Sequence, residues 1–317
     1  MDTNKFDSQA KKNRPEKLVE KRGVGRVVTM SDLHGWYGPF VELLEKTGVI
    51  SRVLEDQSDI NEKNVFEGAD GDGLYKYVGG DTTIVLVGDC IDGCSGTKKI
   101  VDLVIKLEDQ ARMAGGDVII LMGNHEQQLL QASFKALDFE DFSPYGPDRV
   151  FELSKWIKRM PLVAIVNDVL FVHAGLTNRV ITKVERGKQK DEGFVDAFRR
   201  ILGNGAYMDL TTTGGSWGCE GSILSSILQK TGTSYIVVGH NSTYGKLSDE
   251  LRLVGPELDG ARRIFAIATD IADYGKGSNR KNTGGALSLR WTDEGIEAEF
   301  IYRNHPNQKF KLADNSK

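Results

Sequence analysis

Short β-branched runs alternate along the chain with longer stretches whose apolar residues recur at helical spacing, the two periodicities that separate strands from helices. Val27–Met30, Thr83–Val87 and Asp117–Met122 read as strands. Helices are predicted over Pro39–Thr47, where Phe40, Leu43 and Leu44 share a face, and over about Thr97–Met113, where Ile100, Leu103, Val104 and Leu107 do. Arg149–Arg159 reads as a helix that Pro161 ends, because proline has no N–H to continue it. Leu162–Val166 and Val169–Val172 flank Asn167-Asp168, which suits a tight hairpin turn. Ser222–Gln229 is predicted helical and Tyr235–Val238 a strand, with late strands at Ile264–Ala268, Ala286–Trp291 and Ile296–Tyr302. This β-α alternation followed by β-rich material predicts an α/β core carrying a second sheet.

Three stretches break the rhythm. Residues 1–23 and 303–317 are polar with little hydrophobic periodicity, and both read as flexible tails, the first of them charged. Residues 51–81 are acidic and contain Gly68, Gly71, Gly73, Gly79 and Gly80, which predicts a surface insertion between the first and second core strands. The expected organisation is one domain over 24–302 with that insertion and a polar tail at each end.

Five of the apolar runs end in residues that can bind metal. Val27–Met30 leads into Ser31-Asp32-Leu33-His34, Ile84–Gly88 into Asp89, and Val118–Gly123 into Asn124-His125. Leu170–Val172 leads into His173, and Ile236–Gly239 into His240. In open α/β sheets, sites assemble beyond the carboxyl ends of strands, so these five ends can converge. Glycines at 88, 123 and 239 would let the chain turn sharply there. Asp32 and His34, two apart on an extended segment, point the same way. Two carboxylates, three imidazoles and one amide make a mixed nitrogen and oxygen set that suits Mn, Fe, Zn or Co. These six are too many for one catalytic metal with open positions, but enough for two divalent ions sharing a carboxylate, about 3.5–4 Å apart. A hydroxide bridging two such ions is a nucleophile at neutral pH, which predicts attack on a phosphoryl group. His125, next to Asn124, is then the natural general acid for the leaving oxygen, and Asp92 is placed to pair with it.

Composition narrows the setting. The 317 residues include 41 Lys and Arg against 45 Asp and Glu, a formal charge of −4, so no basic field favours nucleic acid as a partner. No stretch approaches the roughly 18 apolar residues of a membrane span, and residues 1–22 lack the apolar segment of a secretory signal. Cys90, Cys94 and Cys219 form neither a disulfide framework nor a zinc-site spacing, which points to the cytoplasm. Four of the five histidines fall at strand ends, and only His305 falls in a polar tail.

These residues resemble the calcineurin-like metallophosphoesterases. The motifs are D-x-H-G as Asp32-Leu33-His34-Gly35, G-D-x-x-D as Gly88 to Asp92, G-N-H-E as Gly123 to Glu126, H-A-G as His173 to Gly175, and G-H at 239–240. The G-N-H-E form, with Ser242 where a second histidine would stand, is similar to the phosphoprotein-phosphatase branch. Gly79 to Thr83 and Ala114-Gly115-Gly116 resemble the Shewanella-like protein phosphatases within it. The resemblance implies a four-layer α/β/β/α sandwich with a dinuclear metal site at the strand ends. It implies one metal on Asp32, His34 and Asp89 and another on Asp89, Asn124, His173 and His240, Mn2+ first among the candidates, with His125 and Asp92 as the acid dyad. The implied activity is hydrolysis of phosphomonoesters, on phosphorylated protein or a small phosphoester.

Two departures bear on substrate. The family's phosphate-clamping arginines are replaced by Gly93 after the second motif and by Cys219 in Trp217-Gly218-Cys219. Lys98 and Lys99, or Lys276, Arg280 and Lys281 in the Gly- and Asn-rich stretch from Asp273 to Gly285, which reads as a loop, are the candidate replacements. Two alternatives remain: a diadenosine tetraphosphatase-like hydrolase of nucleotide polyphosphates, or a metal-binding pseudophosphatase that serves as an interaction module.

Overall fold

The structure, a computed structural model, describes residues 16–53, 65–68, 73–91, 96–131, 146–202, 210, 221–240, 252–268, 284–303 and 306–312. Strands β1 (Leu18–Lys21) and β2 (Arg26–Met30) lead into helix α1 (Tyr37–Lys46). Three short strands follow, β3 (Ile50–Arg52), β4 (Phe66–Glu67) and β5 (Leu74–Tyr77), and then β6 (Thr83–Leu86), α2 (Thr97–Met113), β7 (Asp117–Ile120) and α3 (Asn124–Leu130). Helix α4 (Gly146–Arg159) precedes the hairpin β8 (Val163–Val166) and β9 (Val169–Val172). Helices α5 (Asn178–Gly187), α6 (Phe194–Leu202) and α7 (Gly221–Thr231) come next. Strands β10 (Tyr235–Val238), β11 (Arg252–Leu258), β12 (Ala261–Ala266), β13 (Gly285–Thr292), β14 (Gly295–Tyr302) and β15 (Gln308–Leu312) end the described chain.

Two six-stranded sheets carry the fold, in the orders β1-β8-β9-β10-β12-β11 and β15-β14-β13-β2-β6-β7. In the first, β9, β10 and β12 are parallel; in the second, β2, β6 and β7 are. Their strands read as unbroken apolar runs because both faces are covered. Alternate residues separate into two cores, as a period of two requires. Val27, Val85 and Ile119 of one sheet meet Phe171, Val237 and Phe265 of the other between the sheets. The residues between them, among them Val28, Ile84 and Val118, face outward to helix residues such as Ile100, Val104 and Leu107. Helix α2 covers β7 on one side, and α6 and α7 cover β1 and β11 on the other. The result is helix, sheet, sheet, helix, the predicted mixed α/β arrangement.

Both tail expectations need correction over residues 16–23 and 306–312, the rest of each tail, except Arg303, lying outside the described residues. Leu18 is fully buried and β1 pairs in parallel with β8, Leu18 opposite Val163. Lys17 Nζ donates to the carbonyls of Lys158 (2.7 Å) and Met160 (2.8 Å), closing the end of α4. An edge strand buries only part of its surface, so Leu-Val-Glu-Lys suffices where a central strand would need a longer apolar run. At the other end β15 pairs antiparallel with β14, Leu312 opposite Ile296, and Phe310 packs edge-on against Phe300 at 5.0 Å. The 51–81 segment does lie between β2 and β6. Its strands form a small antiparallel sheet, β3-β5-β4, whose Phe66, Tyr75 and Tyr77 are buried in the main core rather than held apart from it.

Candidate metal centre

The strand ends picked out in the sequence come together, from both sheets. His34 N donates to the Asp89 carbonyl at 2.9 Å, joining the loops after β2 and β6. His240 N, after β10, donates to Asp32 Oδ2 at 3.0 Å. His125 N, in the first turn of α3, donates to Asp89 Oδ1 at 3.0 Å. His173 Nε2 lies 3.0 Å from Asn124 Oδ1 and 3.2 Å from Asp89 Oδ2. The imidazoles of His34 and His125 meet edge to face at 4.7 Å, and those of His173 and His240 at 5.1 Å.

Two overlapping groups of donor atoms result, one from His34, Asp89 and His125, the other from Asp89, His173 and His240. Within each, the atoms lie within 4.8 Å of one another. Asp89 belongs to both, which is where a bridging carboxylate would stand. Asp32 adjoins the first group, its Oδ1 3.9 Å from His34 Nε2, while its Oδ2 is taken up by His240 N and the Ser31 hydroxyl. The donor set is therefore nitrogen and oxygen and free of thiolate, with His34, Asp89 and His173 buried and His125 and His240 half-buried. Cys90 is also buried here, but burial and the carboxylates of Glu126, Asp89 and Asp32 hold its thiol protonated. Such a set fits divalent first-row cations.

Electrostatics agree with that fit. Burial works to raise the Asp89 carboxyl, but His173, His125 and His34 outweigh it and hold the group well below the usual carboxylate range. Burial opposes charge on His173, yet the Asp89 carboxylate lifts its pKa to about 9. Its Nδ1 faces the Val87 carbonyl at 2.7 Å, the orienting bond typical of a ligating histidine, and leaves Nε2 turned to the cluster. His240 is pushed the other way, toward neutral imidazole, by burial and by His173.

The backbone is strained where the candidate ligands sit. Asp32, His34, Asp89 and His240 all have positive φ, at 56°, 44°, 52° and 62°. Each such residue costs on the order of 1–3 kcal/mol and persists only where its surroundings dictate it. The glycine expectation is corrected in part. Gly88 does turn with φ +83°, but Gly123 and Gly239 serve by lacking a side chain. A Cβ on Gly123 would lie 2.1 Å from Asp89 Oδ1, and one on Gly239 1.9 Å from Ser31 Oγ.

One residue in the quoted motifs had no role assigned from sequence. Glu126 is fully buried, and its carboxylate accepts N–H bonds from Asp89 (3.0 Å), Cys90 (2.8 Å), Ile91 (3.2 Å) and Gly123 (2.8 Å). It thereby fastens the Asp89 loop to the start of α3. Glutamate three residues after the cap of a helix is the capping-box spacing, the sequence signal that could have disclosed this.

The remaining candidates fare differently. His125 keeps 19% of its side chain exposed, with Nε2 3.8 Å from Asp89 Oδ2. Its expected partner Asp92 lies outside the described residues, as do Gly93, Cys219, Lys276, Arg280 and Lys281. Lys98 is paired with Asp102 one turn along α2, and Lys99 stands 5.6 Å from the centre of the Tyr37 ring.

Known proteins share this architecture. The family model described as calcineurin-like phosphoesterase matches residues 25–244. Shewanella-like protein phosphatase 2 of Arabidopsis thaliana is 30% identical over 110 residues, 35% of this chain and 23% of that protein's length. A solved cold-active protein tyrosine phosphatase superposes with a TM-score of 0.65 at 21% identity, covering 92% of this chain and 81% of its own. A protein serine/threonine phosphatase from Saccharomyces cerevisiae with similarity to human phosphatase PP5 gives 0.60 at 18%, covering 94% and 89%. At these identities the two structures show a shared fold.

Proposed function

The chain belongs to the calcineurin-like phosphoesterase family, and on that premise we propose that it is a metal-dependent phosphatase that hydrolyses phosphomonoesters on protein in the cytoplasm. The observation that carries this reading is the pair of donor groups sharing Asp89. Asp32, His34 and Asp89 would hold one divalent cation, and Asp89, Asn124, His173 and His240 a second, with Mn2+ the first to try. Cations bound there supply neutralising charge for a phosphoryl group and lower the pKa of water. His125, the partly exposed imidazole of the cluster, holds the proton for the leaving oxygen, and Asp92 steadies it.

Purified protein assayed with Mn2+ and p-nitrophenyl phosphate tests the reading. Metal-dependent turnover is expected; bound metal without turnover would sink it in favour of a metal-binding interaction module. The replacement of both clamping arginines, by Gly93 and Cys219, favours a second reading, hydrolysis of nucleotide polyphosphates. Bidentate arginine is the strong anchor for a phosphomonoester, and a longer anion has other points of attachment. Diadenosine tetraphosphate in the same assay, beside phosphoserine, phosphothreonine and phosphotyrosine peptides, separates the two.

A further inference from the structure

Ser31 directly follows β2 and is almost wholly buried, at 1% exposure. A hydroxyl out of water needs a partner, and this one has two acceptors within reach. Its Oγ lies 2.5 Å from Asp32 Oδ2 and 3.0 Å from the Val87 carbonyl. Neighbouring side chains on a strand point to opposite faces. The positive φ of Asp32, 56°, breaks that alternation and lets the two side chains meet.

The hydroxyl has one proton to give. The Val87 carbonyl already faces His173 Nδ1 at 2.7 Å and accepts its N–H. A carboxylate is the stronger acceptor, and about 2.5–2.7 Å is the usual range for a hydroxyl that donates to one. The proton therefore goes to Asp32. Oδ2 then holds two donors, Ser31 Oγ and His240 N, the latter at 3.0 Å. Oδ1 accepts no hydrogen bond among the described residues and stands 3.9 Å from His34 Nε2. The end of β10 leaves room for the hydroxyl, since a Cβ on Gly239 would lie 1.9 Å from Ser31 Oγ. Three loops, after β2, β6 and β10, thus close around one side chain.

We propose that Ser31 is a positioning residue for the first cation site, occupying Asp32 Oδ2 so that Oδ1 alone is presented beside His34 and Asp89. It acts through Asp32 and touches neither cation nor substrate. The inference rests on the metal-dependent reading of the centre for what Oδ1 meets. A partner hydrogen-bonded behind a ligand fixes its orientation, and losing such a partner costs about 10–100-fold in metal affinity. The second donor group does not include Asp32, so the cost falls on one ion.

The test titrates metal-free protein with Mn2+, without substrate, and reads the affinity of each site by calorimetry. The unaltered protein is expected to bind two ions. In Ser31→Ala one of them binds about 10–100-fold more weakly and the other as before. Electron paramagnetic resonance then shows isolated Mn2+ in the variant at concentrations where the unaltered protein holds the coupled pair. Because the serine acts through its neighbour, adding Ser31→Ala to Asp32→Asn weakens neither site further. Unchanged affinities in Ser31→Ala, equal weakening of both sites, or a full further loss in the double variant would each overturn the proposal. So would a metal-free Ser31→Ala protein that no longer melts cooperatively, since the serine would then serve the fold at large. One-site weakening in a protein that turns over no p-nitrophenyl phosphate would defeat the phosphatase reading and leave the role of Ser31 standing.

Discussion

A buried carboxylate that accepts four backbone N–H bonds serves geometry, and Glu126 sets the position from which Asp89 reaches both donor groups. Glu126→Gln keeps the volume but turns an amide NH2 toward backbone donors, and a buried donor left without an acceptor costs about 1–3 kcal/mol. The variant is expected to unfold earlier by about that amount and to retain less metal, read by thermal unfolding and by metal content after gel filtration. His125→Asn should lower turnover by about 10²–10⁴-fold while metal content stays near two per chain. Equal loss of metal would make His125 a ligand, as its place in the first donor group allows. Asp89→Asn should lose both ions, because that carboxylate is common to both groups. Gly239→Ala places a methyl against Ser31 and Asp32, so it too should lose metal without any change in ligand type. The positions that converge in the cluster were legible because an apolar run ending in Asp or His is a pattern visible in one dimension. The role of Glu126 was legible only in part: the Gly123 N–H lies at capping-box spacing, but the other three N–H groups it accepts come from a loop 35 to 37 residues away in sequence.

Among the elements, the central strands and α2 were readable almost residue for residue, and the edges were not. β1 and β15 carry Glu, Lys and Gln on their exposed sides, the composition of a sheet margin and of a solvated tail alike. Helices α5 and α6 drew no prediction, because charged residues crowd between their apolar positions. Lys17 offers a test of whether β1 is truly docked. Burial pushes its amine down to about 8. The folded chain then binds fewer protons than the unfolded chain from about pH 8 up to the ordinary lysine range, so stability from this group rises with pH across that window. Urea unfolding of the unaltered protein and of Lys17→Met should show the gap between them shifting in favour of lysine from pH 8 to 10. A gap that stays flat would mean that the amine is solvated and the strand loose.

At the scale of the molecule, the centre straddles two sheets. Asp32, His34, Asp89, Asn124 and His125 follow strands of one, and His173 and His240 follow strands of the other. Packing between the sheets therefore sets the distance between donors, something no local sequence pattern encodes. Phe171, wholly buried in that interface two residues before His173, is the probe. Phe171→Ala should cost about 3–5 kcal/mol, lowering Tm by on the order of 10 °C, and should weaken metal retention even though no ligand has changed. Undiminished metal binding would show the centre to be independent of sheet packing. The strained backbone of the cluster carries one more consequence. The left-handed region, closed to most side chains, is visited chiefly by Asn, Asp, His and Gly. Four of the candidate ligand positions adopt it, so the backbone itself restricts which donors can be written there. Glutamate and cysteine are disfavoured before any metal is consulted. A lineage starting from this scaffold could drift among oxygen and imidazole sites by single substitutions, but a thiolate site for a soft metal would require rebuilding the loops.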